Sequence, residues 1–78
     1  MVVIEYNKNA DQLEIHGTPE DLRLLADSLN CLSERPGDHD HLMTPSWSGD
    51  ELGETPVGKD NQLINHVKVY CWATFPTR

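Results

Sequence analysis

His39 and His41 stand two apart in the run Gly37-Asp38-His39-Asp40-His41-Leu42. On a β-strand that spacing sends both rings to the same face. If His66 or His16 lay on a neighbouring strand, three imidazoles would converge on one ion, and Asp50 or Glu51 would complete a tetrahedral zinc site. The same histidine spacing is common on polar sheet faces, and the sequence favours a solvated cluster of His39, His41 and His66 over a metal centre. Asp38 beside His39 offers acid–base chemistry, but any acidic surface supplies such pairs. There is no serine in a strand-to-helix elbow. Gly49, Gly53 and Gly58 lie among acids that repel phosphate. Cys31 and Cys71 fall within apolar periodic segments, which predicts buried free thiols. The expectation is a protein that is not an enzyme and needs no cofactor.

Binding chemistry is better represented. From Thr44 the chain runs through Gly, Pro, Ser and acid to Gln62, a long connection for 78 residues. Loops of that length are uncommon in compact domains unless they have a function. Trp47, between two serines, is hard to explain as core, and tryptophan is enriched at binding hot spots. Trp72 reads more readily as a cap on the core edge. Trp47, Asp50, Glu51 and Glu54, with His39, His41 and Tyr70, form the candidate partner-binding set.

Short elements must position these groups. Val2–Tyr6 and Gln12–His16 alternate as strands around an Asn- and Asp-rich turn, which predicts a hairpin with Leu13 and Ile15 inward and Glu14 and His16 outward. Thr18-Pro19-Glu20-Asp21 has the composition of a capped helix start. Leu22, Leu25, Ala26, Leu29 and Leu32 then follow helical spacing, with Leu24 and Cys31 widening the stripe, to a stop at Arg35-Pro36-Gly37. His39–Met43 reads as a third strand and Leu63–Trp72 as a fourth, with Leu63, Val67, Val69 and Cys71 on one face. The order ββαββ predicts a single α+β domain over residues 1–78, with the helix on one face of an antiparallel sheet. The opposite face would carry Glu5, Glu14, His16, His39, His41, His66, Lys68, Tyr70 and Trp72. Residues 44–62 would be an acidic loop and 76–78 a frayed end.

Thirteen acids against six Lys and Arg give a net charge of −7. That opposes binding to nucleic acid or an anionic membrane, which requires clustered cations. It suits a basic protein partner. The start of the chain has neither a basic region nor a long apolar stretch, so a cytoplasmic location is expected. A homodimer would add burial to a chain this short.

The segment Leu13-Glu14-Ile15-His16-Gly17 through Leu22, Leu25 and Ala26, followed by His39-Asp40-His41-Leu42, resembles the immunity protein 32 family of bacterial polymorphic toxin systems. The resemblance covers Leu13–Leu42. It implies an α+β cytoplasmic protein that binds and neutralises a cognate toxin, often a nuclease. Two alternatives come from the residues themselves: a small metal-binding domain using the histidines, and a homodimeric domain without separate activity.

Overall fold

The computed structural model describes residues 1–76; the expected fraying at Thr77 and Arg78 lies outside them. The element order is β1 (Val3–Asn7), β2 (Gln12–His16), α1 (Pro19–Ser33), β3 (His39–Met43), β4 (Gln62–Leu63) and β5 (His66–Tyr70). The fold is α+β with antiparallel strands and a single helix, as the element pattern predicts. The strands form two sheets instead of one: β2-β1-β4, and β3-β5.

The division comes from the last strand. The chain switches sheets at Ile64-Asn65: the Ile64 amide donates to the Ile4 carbonyl at 2.8 Å, and the Asn65 carbonyl accepts from the Thr44 amide at 3.0 Å. The switch shifts the alternation by one residue. Ile64, expected to face outward, therefore packs on the core together with Val67 and Val69. The predicted strand Leu63–Trp72 is thus two strands, because its two ends pair with different partners.

Helix α1 begins with a capping box. Thr18 Oγ1 accepts from the Asp21 amide at 3.1 Å, and the Asp21 carboxylate accepts from the Thr18 amide at 3.0 Å. After the helix, Gly37 takes a positive φ of 89°. Arg35 clasps Asp38 at 2.6 Å and Asp40 at 2.9 Å, which fixes the entry into β3.

The core consists of Val2, Ile4, Leu42 and Leu52, with Leu25, Ile64, Val67 and Val69 packed against it. Leu52 comes from the middle of the expected loop and is fully buried. It forms a parallel bridge with Val2, and its amide donates to the Met43 carbonyl at 3.2 Å. Leu52 therefore joins β1 to β3, and the 44–62 segment is a structural seam as well as a connection.

Three expected burials fail. Of the helix stripe only Leu32 is buried, while Leu22, Leu24 and Leu29 are exposed. Leu13 and Ile15 lie on the helix side of the sheet, opposite Tyr6 and Ile4, yet are 59% and 48% exposed because the helix does not reach over β2. Cys31 is exposed, on the flank of α1 away from Leu25 and Leu32; Cys71 is half-buried, and both are free thiols.

Glu5 is the reverse case. Expected on an open polar face, it is 1% exposed. The 53–61 segment folds over it, and its carboxylate accepts from the Val57 amide at 2.8 Å, the Gly58 amide at 2.9 Å and Asn61 Nδ2 at 3.0 Å. A Cβ at Gly58 would run into the Asn61 amide, so a larger residue there would displace one of the donors to Glu5. The hydrogen bond from Asn61, followed by those from Val57 and Gly58, lowers the Glu5 pKa from 4.5 to about 2.

Two stability predictions follow from this core. Because the unfolded chain takes up the Glu5 proton first, the contribution of Glu5 is complete above pH 4.5 and declines as pH falls towards about 2. Glu5→Gln should lower stability at neutral pH and flatten the acid limb within that window, as measured by urea unfolding at several pH values. Leu52→Ala should cost about 2–5 kcal/mol, a large share of the roughly 4–12 kcal/mol available to a chain of this length, and should lower the urea midpoint accordingly.

Candidate functional site

The outer face of the β3–β5 sheet is built by cross-strand pairing. His39 opposes Tyr70, His41 opposes Lys68, and Met43 opposes His66. The alternate pairs, Asp40 with Val69 and Leu42 with Val67, point the other way. Five centroid distances link the rings of this face into one continuous row. Trp47 to His66 is 5.9 Å, His66 to His41 5.1 Å, His41 to His39 4.9 Å, His39 to Tyr70 5.3 Å, and Tyr70 to Trp72 6.1 Å. Lys68 Nζ lies 4.9 Å from the Tyr70 ring centroid. The three largest rings, Trp47, Tyr70 and Trp72, are each about half exposed. Trp72 is therefore part of this face and not a cap on the core.

Trp47 joins the row because its turn is anchored. Pro45–Trp47 is one turn of 3-10 helix, and the Trp47 amide donates to the Thr44 carbonyl at 2.9 Å. Thr44 is fully buried, and its hydroxyl donates to Asn65 Oδ1 at 2.7 Å. Glu54 accepts from the Ser46 hydroxyl at 2.6 Å and the Ser46 amide at 3.2 Å. At Gly49 a side chain would run into the Met43 backbone. Thr44 and Asn65 carry no sequence signal for this role, since each finds its partner 21 residues away in the chain.

The imidazoles form a relay. His41 Nε2 is 3.1 Å from His39 Nε2, and His41 Nδ1 is 2.8 Å from His66 Nε2. Neutral His41 donates from one nitrogen and accepts at the other. Burial is the first cause lowering its pKa below 6.5, followed by the neighbouring His39, His66 and Lys68 charges, with Asp40 acting in the opposite direction. The three rings stand in a row and do not surround one point. Among the described residues, the group with ligand atoms all within 4.8 Å of one another is Glu5, Glu14 and His16. There His16 Nε2 sits 2.9 Å from Glu14 and 3.4 Å from Glu5. Glu5 already accepts three N–H donors, and the arrangement works as a hydrogen-bonded clasp under the loop.

The acids of the candidate set separate. Glu54 braces the Trp47 turn. Glu51 accepts from the Met43 amide at 3.0 Å and the Asp50 amide at 3.2 Å. Its hydrogen bond with the Asp50 carboxyl, and then these amides, hold Glu51 low; the same hydrogen bond, and then the Glu51 charge, push Asp50 up. Both line a cleft of about 190 Å³ with Leu24, Leu25 and Leu42, between helix and β3. That volume is below the usual range for small-molecule pockets.

No helix among the described residues is long and apolar enough to cross a membrane. No curated protein and no solved structure matches the chain. A family model described as immunity protein 32 matches residues 12–67. The match runs from β2 through the helix, β3 and all three histidines of the row to the start of β5, and so takes in part of each sheet and the seam between them; β1 lies outside it. The chain belongs to the immunity protein 32 family.

Proposed function

We propose that this protein neutralises a cognate toxin by non-enzymatic binding, and that the ring face of β3–β5 is the contact surface. The unbroken row of rings from Trp47 to Trp72, with both tryptophans and Tyr70 exposed, carries this reading. Large rings held in place by a sheet bury contact area at little conformational cost. The net charge of −7 supplies long-range attraction for a basic toxin, such as a nuclease, and raises the association rate. Charge steers the partner and the rings hold it. Membership of an immunity protein family supports a proteinaceous toxin as partner, and a cytoplasmic site of action follows from meeting that toxin where it acts.

Trp47→Ala and Tyr70→Ala should each weaken binding of the cognate toxin by at least tenfold in titration calorimetry, about 1.4 kcal/mol or more. Thermal stability should barely change, because both side chains are half exposed. Unchanged affinity in both variants would remove the ring face from the interface. Association should slow as salt rises, and Asp50→Lys should reduce the on-rate more than the off-rate.

Protonation gives a further check. Because the His41 pKa is depressed in the folded chain, the row is fully stabilised above pH 6.5, and that contribution is lost as pH falls through the depressed value. An NMR titration of the ring protons should place the His41 midpoint below 6.5, and toxin affinity should fall over the same interval.

A further inference from the structure

The chain exposes more surface than its mass requires. A compact monomer of 8.8 kDa presents about 4,800 Å², whereas this chain presents 5825 Å². The surplus of roughly 1,000 Å² exceeds the roughly 800 Å² per partner of a standard protein interface. The radius of gyration, 13.7 Å, is likewise above the roughly 11.5 Å of a compact chain of this length.

A block of apolar surface lies at one place. Leu13 and Ile15 stand on the helix side of β2, 59% and 48% exposed. Gly17 continues that face, with Leu22 directly against it. Helical spacing puts Leu29 two turns along from Leu22 on the same flank; the two are 46% and 43% exposed. β2 is also the edge of its sheet, paired only with β1. Its sequence, Gln-Leu-Glu-Ile-His, has no Pro, Lys or bulge to keep the edge from pairing, and its one acid, Glu14, is held by His16 and Asn61.

We infer that a second copy of this chain pairs along β2, antiparallel about a twofold axis at Ile15. The two three-stranded sheets then become one six-stranded sheet, and Leu13, Ile15, Leu22 and Leu29 of both chains are covered. Charge selects the register. With Ile15 opposite Ile15 of the partner subunit, Glu14 opposes His16 of the partner subunit, and the reciprocal pair forms by symmetry. A register centred on Glu14 would set two carboxylates against each other, which is destabilising. The ring face belongs to the other sheet, on its side away from the core, so the dimer leaves it open for the toxin.

The test needs no toxin, so its outcome is independent of the proposed function. Sedimentation equilibrium of the intact chain should give twice the 8.8 kDa mass, with dissociation on dilution. Ile15→Lys and Leu22→Lys should each be monomeric with an unchanged circular dichroism spectrum; both positions are about half exposed, so neither change buries a charge in the monomer. In a Cys31→Ser, Cys71→Ser background, Ile15→Cys should crosslink with a short bifunctional maleimide. A wild type that remains monomeric at hundreds of micromolar overturns the inference, as does a dimer that survives both lysine substitutions.

Discussion

A buried carboxylate organises this molecule. Glu5 sits in the middle of the hairpin with almost no solvent, and an ionised group in that position persists only when donors surround it. The donors are two backbone amides and a side-chain amide, all from residues 57–61, more than fifty positions away in the chain. Meeting that requirement closes the 53–61 segment over the first sheet. It also fixes the side-chain amide of Asn61, whose Nδ2 serves both Glu5 and Glu14 while its Oδ1 is buried without a partner. Turning the amide over would aim its oxygen at two carboxylates, so the unpaired atom is the lesser cost.

The closed segment has a second effect. It delivers Leu52 to the point where β1 and β3 meet, and that side chain is the hinge pin between the two sheets. With both ends of the loop held, the chain at Ile64-Asn65 passes from one sheet to the other. The polar residues that sequence alternation would gather on one face are thereby divided. Glu5, Glu14 and His16 become an internal clasp, and His39, His41 and His66 join Trp47, Tyr70 and Trp72 outside. The loop tryptophan and the strand histidines reach one surface because Thr44, buried beside Asn65, ties the start of the loop to the start of β5.

The same economy leaves the helix under-used. In a small domain with two narrow sheets, one helix cannot cover both: of the α1 leucines, Leu25 packs on the core between them and Leu32 is buried. The remaining leucines face outward beside an unprotected sheet edge. Surface that a larger domain would close internally stays exposed here, and association is a common route to covering such surface in short chains.

Sequence alone determined the elements whose signals are local. The Thr18–Asp21 capping box, the leucine spacing to Leu32, the Asn-rich turn of the hairpin and the alternation in His39–Met43 depend on neighbours within a few residues, and each element lies where those neighbours put it. The outward pair His39 and His41 and the exposure of Trp47 were legible for the same reason. Tertiary structure decided everything that needs a distant partner: the burial of Glu5, the core role of Leu52, the break at Ile64-Asn65, and the row of rings itself. Period-two alternation says which residues share a face of one strand, but not which strand lies alongside, nor whether the helix is wide enough to cover what it meets. Those outcomes depend on donors for one buried charge and on the reach of one short helix, and both are set only when the chain closes on itself.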